Sequence, residues 1–306
     1  MNVITMGAHI LDVLVRPVTD IPPGQETALV EQTRMTVAGT AAGTALPFAK
    51  LGAAVSTAGA IGADPAGDLL VSLIDRAGVD TCLVVRKPDV PTSISVLPIR
   101  PNGERPSLHL LGANLAYTLD DIDWAAVAAQ DHLHLGGTEM LGSDFATRVL
   151  RHAKENGVTT SVDLIAPGGM GTFDLIAPAL AYTDYLLPNE EQVLGFTGAE
   201  DLDDGCRRLL DAGAGLLAVT CGADGALVVS PEGTEQVPAF GVDAVDTTGC
   251  GDAFSAGFVC GVHLGRQPRD AAVLGNAVAA LVAGGLGSDH GEFDLAAADA
   301  FAALQA

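Results

Sequence analysis

A chain of 306 residues, 48% of them apolar, can bury a large core and has the length of one large domain, with or without a small appendage. Its net charge of −23, with lysine only at Lys50, Lys87 and Lys154, argues against nucleic acid and against anionic membranes, because both reward basic surfaces. An anionic small molecule must therefore be held by local donors against an unfavourable overall field, which salt screens beyond about 8 Å.

Taken in chain order, short β-branched runs alternate with longer helical ones. Val3-Ile4-Thr5-Met6 stops at Gly7, and residues 1–15 carry no basic residue ahead of their apolar run, so they read as a strand and not as a signal peptide. Residues 12–37 lack helical periodicity and contain Pro17, Pro22 and Pro23. A helix is predicted near 41–51, a strand at Val55-Ser56-Thr57-Ala58 before Gly59, and a helix at 66–77. Residues 90–112 again break the pattern, with Pro91, Pro98 and Pro101. Within them Thr92-Ser93-Ile94-Ser95-Val96-Leu97 alternates as a half-exposed strand does, and Asn102-Gly103 signals a turn. Then follow a strand at 132–135 before Gly136-Gly137, a helix at 144–156, a strand at 158–162 before Asp163, and Tyr185-Leu186-Leu187 before Pro188-Asn189. A helix at 200–212, a strand at 216–220 before Gly222, and helices at 252–264 and 269–284 complete the series.

This alternation predicts an α/β fold: a mostly parallel central sheet with helices on both faces. Ligands in such sheets bind beyond the carboxyl ends of the strands, where the glycines and polar residues just named fall. The segments 12–37 and 90–112 read as a small β-sheet inserted into one domain spanning 1–306; the other reading is two disordered loops. The charge-free stretch 271–288 approaches membrane length, but Asn276, Gly284-Gly285 and its many alanines make it a buried helix. Gly249, Ala253, Gly257, Gly261 and Gly265 recur every four residues, a smooth ridge against which another backbone can pack.

Five cysteines (Cys82, Cys206, Cys221, Cys250 and Cys260) are odd in number and form no Cys-x-x-Cys pair, so neither a disulfide framework nor a zinc site is expected, and a cytoplasmic protein is. His132 and His134 sit two apart on a predicted strand without an evident third ligand and read as core histidines.

The most informative stretch is Asp246-Thr247-Thr248-Gly249-Cys250-Gly251-Asp252, followed by the charge-free run 253–260. A loop that turns into a helix offers backbone N–H groups without intrahelical partners and a partial positive charge. Glycines let a bulky anion approach those groups. An acid just behind them can accept a proton from an attacking hydroxyl. Phosphoryl transfer to an alcohol needs that combination. The plainer reading is a turn ahead of an acidic first helical turn. On the phosphoryl-transfer reading Cys250, at a helix start beside anion-favouring donors, is also expected to be the reactive thiol.

The stretch resembles the second signature of the ribokinase-like (PfkB) carbohydrate kinases, usually Asp-Thr-x-Gly-Ala-Gly-Asp, with Cys250 in the alanine place. Ala38-Gly39 followed by Leu51-Gly52 looks like the first signature. Gly59-Ala60-Ile61-Gly62-Ala63-Asp64-Pro65-Ala66-Gly67 is similar to the family's Gly-x-Ile-Gly-x-Asp-x-x-Gly, with Gly78-Val79-Asp80 at the usual distance. Gly103-Glu104-Arg105 looks like the hairpin turn of its lid. Thr220-x-Gly222-x-x-Gly225 resembles its nucleotide-side strand and turn, and Asn276 an asparagine near the adenine pocket. No Gly-x4-Gly-Lys-Ser/Thr occurs, which excludes a P-loop.

The resemblance implies a ribokinase-like fold with a β-sheet lid and ATP-dependent phosphorylation of a hydroxymethyl group. It implies Asp252 as base and the N–H groups of Gly249, Cys250 and Gly251 as the anion hole. Asp12, Gly39 and Gly43 fall on the acceptor side, and Asn189, Thr220, Gly222, Gly225 and Asn276 on the nucleotide side. It further implies Mg2+ near Glu191, a monovalent cation such as K+ at Asp246, and a homodimer through the lid.

Three departures stand out. Gly43 replaces an asparagine that touches the sugar. Asn189-Glu190-Glu191-Gln192 ends in an amide where the family's Asn-x-x-Glu has an acid, and Asp163-Leu164-Ile165-Ala166-Pro167 replaces Asp-x-Asn-x-Arg. Segments 12–37 and 90–112 contain no Phe, Tyr or Trp, which favours a sugar over a nucleoside; Arg16, Arg34, Arg100 and Arg105 leave a phosphosugar open. A kinase-fold protein that binds a metabolite without phosphorylating it is the remaining alternative, against which the intact Asp252 and its glycines weigh.

Overall fold

The structure is a computed structural model that describes residues 1–102, 104–165 and 171–305. In chain order it runs through β1 (Asn2–Gly7), β2 (Ile10–Arg16), β3 (Gln32–Ala38), α1 (Ala42–Lys50), β4 (Ala54–Gly62), α2 (Pro65–Arg76), β5 (Asp80–Lys87), β6 (Ile94–Pro98) and β7 (Leu108–Leu110). There follow α3 (Trp124–Ala128), β8 (His132–Gly136), α4 (Thr138–Leu141), α5 (Ser143–Glu155), β9 (Thr159–Asp163), α6 (Phe173–Leu180), β10 (Tyr185–Leu186), α7 (Glu190–Thr197) and α8 (Leu202–Asp211). The remainder comprises β11 (Leu216–Thr220), β12 (Ala226–Ser230), β13 (Gly233–Val237), α9 (Cys250–His263), α10 (Pro268–Ala283) and α11 (Leu295–Gln305).

Among the described residues nine strands form one sheet in the order β13-β12-β11-β10-β9-β8-β1-β4-β5. Pairing is parallel from β11 to β5 and antiparallel only at the β11-β12-β13 edge. The predicted mostly parallel sheet is therefore present, with β5, β12 and β13 added. Two apolar cores flank it. One gathers α5 to α8 through Phe145, Val149, Ile176, Val193 and Leu209. The other gathers α1, α2, α9 and α10 through Phe48, Leu70, Phe254 and Leu274. Central strands such as β8 are buried along their whole length, as strands covered on both faces must be. Their polar side chains are paired within the core: His132 Nε2 and His134 Nδ1 both meet Ser161 Oγ at 2.8 Å. The chain order reverses at β1, with β4 on one side and β8 on the other, and this opens a crevice at the carboxyl ends.

A second, four-stranded sheet has the order β3-β2-β6-β7. It matches the inserted sheet expected from 12–37 and 90–112; Gly103 of the expected turn lies outside the described residues. Registration sets side chains in rows across all four strands. Thr36, Asp12, Ser95 and His109 make a polar row, and Met35, Val13, Val96 and Leu108 the next, apolar one on the other face. The small sheet is clamped to the core at Asp64. Its carboxylate caps α2 by accepting from Gly67 N at 2.8 Å, and it also accepts from Thr92 N at 2.8 Å and Thr92 Oγ1 at 2.6 Å. Thr92 Oγ1 accepts in turn from Gly62 N at 2.9 Å. The Gly-x-Ile-Gly-x-Asp-x-x-Gly stretch thus builds the joint between the two sheets.

The glycine ridge packs α9 onto α10. A Cβ at Gly257 would stand 2.8 Å from Gly275 Cα, and one at Gly261 2.8 Å from Ala271 Cα. Forcing side-chain volume between two backbones costs about 1–3 kcal/mol or more. Gly261→Val is expected to lower the calorimetric unfolding midpoint by several degrees, and an unchanged midpoint would contradict the close approach.

Candidate active site

Three residues in register, Gly7, Gly136 and Asp163, end β1, β8 and β9 side by side. Gly136 leaves space that the turn before α1 fills, and Gly7 leaves room for the Gly136 carbonyl oxygen. A Cβ at Gly136 would lie 2.4 Å from Thr40 Oγ1, and one at Gly39 2.4 Å from the Ala8 carbonyl oxygen. Gly39, at φ +96°, adopts a backbone that side chains disfavour, so this turn sits directly on the sheet edge. It delivers α1 with Gly43 and Thr44 foremost.

The start of α9 meets α1 there. Gly249, left-handed at φ 77°, precedes the helix, and Asp252 stands in its first turn. Thr44 Oγ1 donates to Asp252 Oδ1 at 2.9 Å and lies 2.8 Å from the Thr40 carbonyl oxygen. A Cβ at Gly43 would come 2.8 Å from Asp252 Oδ2. The space that an asparagine side chain would need at position 43 is thus occupied by the carboxylate itself. Burial pushes Asp252 up to about 7; the Thr44 hydrogen bond opposes this and the Asp12 charge adds to it. Asp163 is held well above the ordinary carboxylate range by burial and by Asp252, despite a bond from Leu164 N, with Glu139 adding to the rise. Asp12, on the polar row of the lid, is raised to about 6, first by burial; Ser95 opposes this, Asp246 reinforces it and Arg105 offsets it.

The loop ahead of α9 is organised by Asp246. Its Oδ1 accepts from Thr248 N at 3.0 Å and Thr248 Oγ1 at 2.7 Å, and its Oδ2 from Gly287 N at 2.9 Å. Arg105, from beyond the lid turn, donates to Asp246 Oδ1 at 2.8 Å, to Thr247 Oγ1 at 2.9 Å and to Thr248 Oγ1. Cys250 N–H points to the Thr247 carbonyl oxygen at 3.3 Å, which draws it partly away from an incoming anion, while a Cβ at Gly251 would meet open space.

The expectation for the Cys250 thiol fails. Its Sγ turns inward to the Ala279 carbonyl oxygen at 3.6 Å. Burial pushes the thiol up to about 11, with Asp246 and Asp252 adding to the rise against Arg105. A place at a helix start does not make a thiolate when the side chain points at a carbonyl.

A second group gathers at the ends of β10 and β11. Asn189 and Thr220 bridge, with Thr220 N donating to the Pro188 carbonyl at 2.9 Å. Gly222 (φ 56°) and Gly225 (φ 92°) shape the following turn, and a Cβ at Gly225 would strike the Val237 carbonyl oxygen at 2.1 Å. Asn276 Nδ2 donates to the carbonyls of Val237 at 3.2 Å and Pro238 at 3.0 Å, bracing the segment after β13. This group connects to α9 through α10, which carries both Asn276 and Ala279.

Gln192 explains its own departure from the acid expected there. Its Oε1 accepts from Asn189 N at 2.8 Å, and its Nε2 donates to the carbonyls of Leu164 at 2.6 Å and Ile165 at 3.1 Å. A carboxylate cannot make the last two bonds. Glu191 is exposed on the first turn of α7. Ala166 and Pro167 of the altered middle motif lie outside the described residues.

Sequence reasoning gave no role to Thr44, one place past Gly43, or to Glu139, which is buried on α4 and accepts from Ile165 N at 2.6 Å. His9, three residues before Asp12 in the sequence, is fully buried between the Gly7 carbonyl oxygen (2.9 Å) and Thr57 Oγ1 (3.0 Å).

A family model described as "pfkB family carbohydrate kinase" matches residues 2–292. An ATP-dependent ribose-1-phosphate kinase of Halopiger xanaduensis is 33% identical over 291 residues, covering 93% of this chain and 92% of that protein. The structure of Arabidopsis thaliana ribokinase complexed with ribose and ATP superposes with a TM-score of 0.86 at 22% identity, over 98% of both chains. An E. coli protein provisionally designated ribokinase II, in complex with ATP and Mg2+, gives a TM-score of 0.85 at 21% identity, over 98% of both. At these identities the two structures establish the ribokinase-like fold.

Since the Thr44 hydrogen bond favours the ionised form of Asp252, Thr44→Val is expected to move the Asp252 carboxyl above about 7. Carbon-13 NMR of labelled aspartates, assigned with Asp252→Asn, reads this directly, and an unmoved titration would remove Thr44 from the account.

Proposed function

Because the chain belongs to the pfkB family of carbohydrate kinases, we propose that it transfers the γ-phosphoryl group of ATP to a hydroxymethyl group of a small sugar. The observation that carries this reading is the meeting of Asp252 with α1 at the start of α9, within electrostatic reach of Asp12 on the lid. Asp12 accepts hydrogen bonds from the acceptor hydroxyls. Asp252 takes the proton of the attacking hydroxyl as its oxygen bonds to phosphorus and ADP leaves. The N–H groups of Gly249 and Gly251, with a smaller share from Cys250, stabilise charge on the transferring group. Asn189, Thr220, Gly222, Gly225 and Asn276 shape the nucleotide side.

A magnesium ion accompanying the nucleotide would be held, on the protein side, near Glu190 and Glu191. Among the described residues no cluster of three His, Cys, Asp or Glu forms a cage, and the exposed carboxylates of Glu190 and Glu191 suit an ion bound mainly by phosphate oxygens. Such an ion neutralises phosphate charge. Gln192 does not join it, because its amide is spent on carbonyls.

The polar row Thr36, Asp12, Ser95 and His109 suits hydroxyl groups, and it offers no Phe, Tyr or Trp surface for a base. The Halopiger relative supports a second reading, a phosphorylated pentose. Of the four arginines near the small sheet, Arg34, Arg100 and Arg105 are already paired with Asp289, Glu104 and Asp246, which favours the neutral sugar and leaves Arg16 as the cation a phosphate could use. Free cysteines and the use of ATP support a cytoplasmic place. Among the described residues no helix is long and apolar enough to cross a membrane.

A homodimer through the lid is the assembly we propose. Met35 (54% exposed), Val96 (36%) and Leu108 (63%) lie in one cross-strand row with Val13, and a second copy can cover that row. Light scattering is expected to give a dimer that Leu108→Glu converts to a monomer; a monomeric parent protein at all concentrations would contradict it.

ATP turnover across a panel of pentoses, hexoses, their phosphates and nucleosides tests the function, and no turnover with any sugar would overturn it. Charged hydrogen bonds contribute about 1.5–3 kcal/mol, so Asp12→Ala should raise the acceptor KM roughly 10- to 100-fold and leave that for ATP nearly unchanged. An effect confined to ATP would put Asp12 on the wrong side of the cleft.

A further inference from the structure

The carboxylate at which the family resemblance implies a monovalent cation already carries a guanidinium and three further donors. A carboxylate offers about four lone-pair sites. Asp246 Oδ1 accepts from Thr248 N, Thr248 Oγ1 and Arg105 Nη1, and Oδ2 from Gly287 N, so one lone pair remains, on Oδ2. Its side chain is 1% exposed, so solvent supplies no further partner. An added cation would also have to sit beside the guanidinium, whose own charge repels it. The residues present therefore do not fit a monovalent ion on this carboxylate.

What they fit is Arg105 itself. Its Nη1 reaches Asp246 and Thr248 Oγ1, and its Nη2 reaches Thr247 Oγ1 at 2.9 Å. One guanidinium thus holds the three consecutive residues that lead into Gly249 and the start of α9. It does so from the other sheet, 141 positions earlier in the chain. Asp246 and Arg105 also act on Asp12, with opposite sign.

We infer that Arg105 takes the part of a monovalent cation: it neutralises Asp246 and fixes the Thr247-Thr248-Gly249 turn, and because it is carried by the lid, the anion-binding turn is completed only when the lid is down. Lid opening withdraws the guanidinium and leaves Asp246 facing Asp12 without a counter-charge. The enzyme then needs no K+, and its anion-binding turn is tied to lid closure. Arg105 acts here as a positioning residue. The inference rests on the kinase reading for its rates, though not for its stability measurement.

The test compares wild type, Arg105→Ala and Arg105→Lys in potassium chloride and in tetramethylammonium chloride at equal ionic strength, with buffer and nucleotide as potassium-free salts. Turnover and unfolding midpoint are measured in each. The wild type is expected to show rates within about twofold and equal midpoints in the two salts. Arg105→Ala should lose at least tenfold in kcat in tetramethylammonium, with the acceptor KM little changed, and Arg105→Lys or added K+ should restore part of it. K+ should also raise the midpoint of Arg105→Ala, where it does not raise that of the wild type.

Four outcomes overturn the inference: a wild type that requires K+; an Arg105→Ala enzyme with undiminished kcat; a defect confined to the acceptor KM, which would make Arg105 a substrate contact; and a slow Arg105→Ala enzyme that neither lysine nor K+ improves. A protein that turned over no sugar would overturn the kinase reading alone, and the salt dependence of the midpoints would still decide the role of Arg105.

Discussion

One carboxylate, pressed between two helix starts, sets the rest of the arrangement. Asp252 needs the first turn of α9 behind it, α1 beside it and little water around it. The Thr44 bond and the missing side chain at Gly43 create that place. Removing an acid from water is costly, and here the cost appears as a carboxyl held near neutrality. A base of that strength is suited to taking a proton from an alcohol at physiological pH. The neighbouring Asp163 and Glu139 add negative charge, so the site gains little by holding every acid ionised.

The sheet exists to bring those helices together. The glycine that ends β8 lets the turn before α1 lie on the strand end, and the glycine ridge of α9 lets α10 approach to backbone contact. Neither arrangement tolerates a side chain, which ties the position of the base to packing far from it. The lid is joined to this frame at two points. Asp64 clamps it through Thr92, and Arg105 touches the loop ahead of α9. The first joint includes backbone donors, Thr92 N and Gly62 N, and the second is made by side chains alone.

Much of this was legible in the chain. The parallel strands announce themselves as β-branched runs that stop at glycine, asparagine or aspartate, and the Asp246–Asp252 stretch carries its chemistry in its own spacing. The edge strands β5 and β13 were harder, because charged and polar residues break any continuous apolar run in them, and β12, a largely apolar run of five residues, is not among the expected strands either. Contacts between distant segments could not be read at all. Gly43 was visible as a departure, yet only the fold puts Asp252 in the vacated space. Gln192 looked like a lost acid until its amide met two carbonyls. Arg105 looked like part of a hairpin turn, with nothing local to link it to Asp246. Cys250 misled because a position in a helix does not fix where a side chain points.

The central claim is that Asp252 is the proton acceptor and that burial tunes it. The most direct measurement is the single-turnover rate of phosphoryl transfer against pH, for the native enzyme and for Asp252→Asn. A base acts only when ionised, so the native rate is expected to rise about tenfold per pH unit and level off near pH 7, where Asp252 gives up its proton. Asp252→Asn should be slower by roughly 10²–10⁴-fold, with that rise gone. A native rate already level above pH 5, or an Asp252→Asn enzyme of near-native rate, would contradict the account.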